Sequence, residues 1–261
     1  MSFAPAWLEL RRPADAAACD AGLLAAAAAW LGAGPALDLG CGIGAACEAF
    51  PAGVDWRLVD ADAGLLTLAG ARHPRAVTIE ADLADLEALP FEGVRLVTGF
   101  ALLDLAGRVW IEALAERVAA AGAGLYAPLC YDGELRWEPE LPADAAVRAA
   151  FNAHQRREKG LGAALGPVAA AAMARAMAGR GYAVRLGLSA WRLGPEEDAL
   201  HRALVAGIAA AAEEAGLAGA AAWGQARLAA TGWRCSVGHF DVLALPTGAS
   251  AQSKTTSESR P

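Results

Sequence analysis

The sequence predicts an α/β three-layer sandwich built on a mostly parallel sheet, and three observations carry that reading. Short apolar runs alternate with helical stretches of ten or so residues through the first half of the chain. The run ALDLG at 36–40 passes straight into a glycine turn, GCGIG, at 40–44. Acidic residues recur where the apolar runs stop, at Asp60 and Asp82. Strands separated by helices imply right-handed crossovers and a parallel sheet covered on both faces. In such sheets ligands bind beyond the carboxyl ends of the strands.

Each element follows in order. ALDLG (36–40) is a strand, and AACEAF (45–50) begins a helix. VDWRLVDAD (54–62) is a second strand, with helical AGLLTLAGARH (63–73) after it. AVTIEADL (76–83) and VRLVTGFALL (94–103) are the third and fourth strands. VWIEALAERVAAA (109–121) has helical spacing, and GLYAPLCY (124–131) is a fifth strand. After Tyr131 charge and proline increase, so 132–167 reads as non-strand, and 131–167 as an insertion or lid hinged at Gly160 and Gly162. A helix over 168–182 ends at a glycine pair suited to a C-cap. Strand character resumes at 183–193. A helix over 195–216 opens with proline and three acids, 217–230 forms a further short helix, and 235–246 is the last strand. Residues 247–261 are poor in apolar side chains and read as a disordered tail. The expected organisation is an N-terminal helical segment over 1–33, a catalytic domain over 34–246, and that tail.

Composition bounds the function. With 261 residues, 56% hydrophobic and 20% charged, the chain can bury one large core. A formal charge of -7 provides no positive field for nucleic acid or anionic lipid, so the expected partner is a small molecule. Five scattered cysteines without C-x-x-C spacing read as reduced thiols of a cytoplasmic protein, with no metal site. The apolar stretch after Arg11–Arg12 is interrupted by Asp15 and Asp20 and is too short to span a bilayer. It reads as a single alanine-rich helix over 14–32, packed on a soluble domain. The oligomeric state stays open, a homodimer included.

Gly40, Gly42 and Gly44 let a backbone pass close to a ligand at a helix start. Asp60 follows Gly40 by twenty residues, a spacing that suits a carboxylate on a ribose diol. With Ala45 the turn also satisfies the G-x-G-x-x-A fingerprint of nicotinamide sites. Charge separates the two. A carboxylate at Asp38, two residues ahead of the turn, repels a pyrophosphate and attracts an ammonium or sulfonium. Asp82 can accept from an adenine amine. Three acids at three consecutive strand ends suit S-adenosylmethionine better than NAD. The competing reading of each acid is a helix N-cap or a solvated loop residue.

The order ALDLGCGIG, RLVDAD, EADL, VRLVTGFALLDL resembles the class I S-adenosylmethionine-dependent methyltransferases over residues 30–130. The resemblance implies a Rossmann-like, seven-stranded sheet whose last strand is antiparallel. It implies S-adenosyl-L-methionine as cofactor and S-adenosyl-L-homocysteine as product. It places Asp38, Gly40, Cys41, Gly42 and Gly44 near the methionine end, with Cys41 a small residue filling the turn. Asp60 with Ala61 falls at the ribose, Asp82 with Leu83 at the adenine, and Asp62 as a weaker adenosine contact. Phe100 is either a cofactor contact or core.

After the fourth strand the N-P-P-Y-type motif of amino-group methyltransferases is replaced by TGFALLDL, which favours a hydroxyl, carboxyl or carbon acceptor. Asp104 is a general base or substrate orienter, or else the N-cap of the next helix. From the insertion, Tyr131, Trp137, Asn152, His154 and Lys159 are candidate substrate contacts. Trp137 is placed to stack on a flat substrate, His154 to act as a base, and Lys159 to act as a base or to anchor an anion. For His154 and Lys159 the competing reading is a solvated helical charge run. Two other functions compete: an NAD-dependent oxidoreductase, for which no Tyr-x-x-x-Lys is present, and a catalytically silent binding subunit on the same fold.

Overall fold

The computed structural model describes residues 3–248. Two helices come first, α1 (Pro5–Ala18) and α2 (Ala21–Leu31), where the sequence predicts one over 14–32. The break falls at Asp20, whose side chain accepts from the Leu23 N–H to cap α2 while its own N–H donates to the carboxylate of Asp241. The two helices meet at 93°, and among the described residues no single helix is long and apolar enough to cross a membrane.

The crossover series then runs β1 (Pro35–Leu39), α3 (Ala45–Ala49), β2 (Asp55–Asp60), α4 (Ala63–Arg72), β3 (Val77–Glu80), β4 (Leu96–Thr98) and α5 (Arg108–Ala120). The third and fourth strands are shorter than expected, so Asp82 and Phe100 lie in the loops beyond them. The second half contains β5 (Gly124–Glu138), α6 (Asp144–His154), α7 (Ala169–Ala178), β6 (Tyr182–Leu188), β7 (Trp191–Leu193), α8 (Asp198–Glu214), α9 (Ala220–Ala229) and β8 (Arg234–Pro246). The sheet order is β3-β2-β1-β4-β5-β8-β6, with β7 also on β8. β1 to β5 pair in parallel, and β8 is antiparallel to both β5 and β6. The sheet has eight strands where seven were expected. The run over 183–193 divides at Ser189, whose N–H bonds the carbonyl of His239.

The largest departure from expectation is β5. Residues 132–138, read as part of a non-strand insertion, continue the fifth strand and pair with β8 through Leu135↔Val237, Arg136↔Ser236 and Trp137↔Cys235. Their alternation is regular: Leu135 and Trp137 are buried while Glu134, Arg136 and Glu138 are exposed. The charges that argued against a strand all sit on one face of it. The expected tail lies, beyond Gly248, outside the described residues.

Three apolar layers follow. α5 and α7 cover one face of the parallel sheet through Ile111, Leu114, Met173 and Met177. α2, α3 and α4 cover the other through Leu23, Leu31, Ala46 and Leu66. The extended ends of β5, β7 and β8 pack on α6, α8 and α9, a tryptophan-rich core holding Trp137, Trp191, Trp223 and Trp233. At its centre the fully buried Arg227 donates twice to Asp144 at 2.6 Å and once to the carbonyl of Pro139 at 2.7 Å. Trp223 also donates to Asp144, at 2.7 Å. Removing one partner of such a pair leaves the other as an uncompensated buried charge, at a cost of about 3–5 kcal/mol. Arg227→Met is therefore expected to lower stability in chemical denaturation by an amount in that range. Adding Asp144→Asn to it should restore part of the loss; equal stability of Arg227→Met and wild type would contradict the account.

Candidate functional site

The glycine turn opens where β1 ends. Gly40 and Gly42 hold φ of +65° and +54°, values that side chains disfavour. The turn's donors are directed inward: the Cys41 N–H bonds the carbonyl of Val59, Gly42 N–H bonds Asp60 Oδ2 at 2.9 Å, and Gly44 N–H bonds the carbonyl of Cys41. Asp60 accepts a second backbone bond on Oδ1, from the Asp62 N–H at 3.0 Å. One carboxylate thus ties the turn after β1 to the turn after β2.

A cavity of about 700 Å³ lies over these turns. Gly40, Cys41, Gly42, Asp60 and Ala61 form one wall, and Glu80, Asp82 and Leu83 the next. Phe100, Ala101 and Leu105 face it from beyond β4. Ala101 is held at φ +51°, one of two non-glycine residues with positive φ among those described, and its N–H bonds the carbonyl of Pro128 at 3.0 Å. Such strain persists only where the surroundings enforce it, commonly beside ligand sites. α1 supplies Leu8, Arg11, Arg12 and Asp15, and the loop after α6 supplies Lys159, Gly160 and Leu161.

Eight of the eleven expected cofactor contacts line this cavity; Asp38, Gly44 and Asp62 do not. Asp38 is 1% exposed, because its side chain turns beneath the sheet edge of the turn to accept from the hydroxyl of Thr98, its β4 partner, at 2.6 Å. Burial pushes its carboxyl up to about 7, with the nearby charge of Asp60 adding to the effect against the Thr98 bond. Gly44 is the left-handed N-cap of α3, and the His73 ring occupies the space a side chain would need. Asp62 caps α4, accepting from Gly64 and Leu65 N–H, which is the competing reading stated for it. Asp82 lines the cavity while also accepting from the Ala84 N–H at 2.9 Å.

The substrate residues divide more sharply. Of the five, Lys159 alone lines the cavity. Tyr131 and Trp137 are strand residues buried in the tryptophan-rich core, Trp137 edge-on to Trp223 at 5.2 Å, so Trp137 is not available to stack on a ligand. Asn152 accepts from the Tyr131 hydroxyl at 2.7 Å and donates to the carbonyl of Gly133. His154 pairs with Glu214 at 3.0 Å and lies outside the cavity. Asp104 sits in a 3-10 turn, Leu103–Leu105, and is 9% exposed. It caps no helix, since α5 starts from Gly107. Its Oδ1 has no hydrogen-bond partner among the described residues, and burial raises the carboxyl to about 7.

Sequence reading missed Arg11, Asp15 and Glu80. Arg11 and Asp15 form an i,i+4 ion pair on α1, which begins at Pro5, ahead of the helix expected over 14–32. Among the described residues no three His, Cys, Asp or Glu side chains gather as metal ligands.

The strand order, with β8 antiparallel between β5 and β6 and the glycine turn after β1, is the Rossmann-like arrangement that the resemblance to class I S-adenosylmethionine-dependent methyltransferases implies, with one strand more. No family model and no curated protein matches the sequence. Among solved structures the chain is similar to the YcgJ protein from Bacillus subtilis, with a TM-score of 0.51 and 14% identity over 87% of this chain and 98% of that one. It is also similar to a SAM-dependent methyltransferase from Thiobacillus denitrificans in complex with S-adenosyl-L-homocysteine, with a TM-score of 0.48 and 15% identity over 93% and 99% of the two chains. At 14% identity the likeness to the YcgJ protein is one of fold alone.

The raised carboxyl of Asp38 has a stability consequence. A carboxyl whose folded value lies above its unfolded one stabilises only while protonated, so the chain binds more protons folded than unfolded between about pH 4 and 7. Stability from this site is lost as pH rises through that window. Asp38→Asn keeps an acceptor for Thr98 without the charge, and is expected to raise the thermal midpoint relative to wild type at pH 8 but not at pH 5. An equal difference at both pH values would contradict the assignment.

Proposed function

We propose that this chain is an S-adenosylmethionine-dependent methyltransferase that acts on a small-molecule acceptor in the cytoplasm, through a hydroxyl, carboxyl or carbon atom. The observation that carries the reading is the direction of the turn's donors. A pyrophosphate site needs backbone N–H groups aimed at the ligand. Here the N–H groups of Cys41, Gly42 and Gly44 are all bonded within the protein, and the turn presents the Asp60 carboxylate instead. With Glu80 and Asp82 beside it, that wall suits ribose hydroxyls, an adenine amine and a positively charged tail. It does not suit the phosphates of NAD.

The residues fit the cofactor's shape as well. A Cβ on Gly42 would meet the side chain of Leu8 at 3.1 Å, so the bare backbone is what leaves room under α1. Leu83 and Phe100 add apolar wall. When bound, S-adenosylmethionine supplies an electrophilic methyl carbon on a sulfonium and leaves as S-adenosylhomocysteine. The protein's part is to hold the acceptor in line with that carbon and keep water out. We assign the proton role to Asp104, which adjoins the cavity-lining Leu105 without lining the cavity itself: its buried carboxyl, pushed up to about 7, keeps one oxygen unpartnered among the described residues and suits a proton acceptor near neutral pH.

Calorimetry tests the reading. S-adenosylhomocysteine is expected to bind the purified chain with a micromolar or lower dissociation constant, and NADH not to bind. Gly42→Val places a β-branched residue at positive φ against Leu8, and should weaken that binding at least tenfold while the protein still unfolds cooperatively. NADH binding in place of the nucleoside would refute the proposal.

A further inference from the structure

The cavity is oppositely charged at its two ends. Asp60, Glu80 and Asp82 reach it from the carboxyl ends of β2 and β3, whereas Arg11, Arg12 and Lys159 reach it from α1 and the loop after α6. Arg12 is neutralised by Glu48 at 2.9 Å and by Glu9. Arg11 is clamped rather than mobile. Its Nε and Nη2 donate to Asp15 at 2.7 and 3.1 Å, and its guanidinium lies over the Trp191 ring at 5.1 Å. The Trp191 Nε1–H fixes the same carboxylate at 2.9 Å. Arg11 Nη1 keeps no partner among the described residues.

Lys159 is different in kind. The sequence has two lysines among 22 basic residues, and Lys159 is the one lysine among those described. Among the described residues no carboxylate lies within ion-pairing distance of it; its polar contact is His154 Nδ1 at 3.4 Å. Glu214, the nearest acid on that side, is engaged by His154 and by Arg157. Partial burial lowers the pKa of Lys159 against the opposing fields of Glu214 and Asp104, neither of which forms an ion pair with it. Asp104, next in the chain to the cavity-lining Leu105, feels the charges of both Arg11 and Lys159 and keeps one buried oxygen unpartnered among the described residues.

Resting on the methyltransferase reading, we propose that the methyl acceptor carries an anionic group, a carboxylate or a phosphate monoester, that seats on Lys159 at the wall of the cavity shared with the clamped Arg11 and directs the rest of the molecule into that cavity. The charge pattern sorts the two ligands. A cationic nucleoside goes to the acidic wall and an anionic acceptor to the basic one, with the reacting atoms meeting between them.

The test uses the full chain saturated with S-adenosylhomocysteine at low ionic strength, where exposed charges are least screened. Benzoate is titrated against benzamide, hexanoate against hexanamide, and phenyl phosphate against phenol, with binding read by ligand-observed NMR. At least one acid is expected to bind at least tenfold more tightly than its neutral mate. Lys159→Met should abolish that preference with nucleoside affinity changed less than twofold, and Lys159→Arg should retain most of it. Preference for phenyl phosphate alone assigns the phosphate arm, and preference for the carboxylates alone assigns the other. Nucleoside binding without any acid preference, or a preference that survives Lys159→Met, overturns this inference alone. Failure of the nucleoside to bind overturns the cofactor reading and this inference with it.

Discussion

The site depends on how Asp60 uses its two oxygens. By accepting from Gly42 and Asp62 N–H it joins the turns after β1 and β2 into one rigid lip. Hydrogen bonds to a charged group are worth about 1.5–3 kcal/mol each, enough to hold glycines whose backbones would otherwise sample many conformations. The same two bonds decide what the lip offers a ligand. With the Gly42 N–H held by Asp60 and those of Cys41 and Gly44 bonded to carbonyls, a turn whose spacing also matches the nicotinamide fingerprint presents a carboxylate to the cavity. The fingerprint describes where glycine is tolerated; the carboxylate decides which way the donors face.

A second buried carboxylate sets the roof. Asp241 is fully buried and accepts from the Tyr126 hydroxyl at 2.9 Å, the Leu129 N–H at 3.0 Å and the Asp20 N–H at 2.9 Å. Those bonds tie the irregular middle of β5, where Leu129 holds φ +61°, to the start of α2. The position of Asp20 in turn fixes the 93° bend from which α1 departs across the cavity. Leu8, Arg11 and Asp15 therefore reach the site through a chain of contacts that begins on the last strand. A Cβ on Gly187 would collide with Asp20, so β6 is cut away to admit this junction.

Local signals were legible in the sequence, and long-range pairings were not. The parallel half was readable because each of its strands is a short apolar run bounded by a turn. Gly40, Gly42, Asp60, Asp82 and Leu83 were readable as neighbours of the cavity because they follow strand ends, where such sheets open their crevices. Asp38 misled for the same reason: adjacency to the turn does not say which way a strand side chain points, and period-two alternation turns this one toward Thr98. Trp137 was read from its charged neighbours as lid, although those neighbours alternate with Leu135 and Trp137 as a strand requires. Arg11 lay beyond reach because its place over the cavity depends on Asp241, 230 residues away in the chain.

Asp38 and Asp104 show why a raised carboxyl does not by itself mark chemistry. Both are pushed to about 7, and in both burial is the largest cause. Asp38 accepts a short bond from Thr98 inside the sheet, so its shift is the cost of a strand position. Asp104 keeps an unpartnered oxygen and lies within the fields of Arg11 and Lys159, both of which line the cavity. Those cations favour its ionised form against burial, which sets it near the pH at which a base must act. An anion seated on Lys159 would offset part of that field and raise the carboxyl's affinity for a proton. Binding of an acidic acceptor would then shift Asp104 toward its protonated form at neutral pH, so the basic wall acts on the titration of Asp104 as well as on recognition.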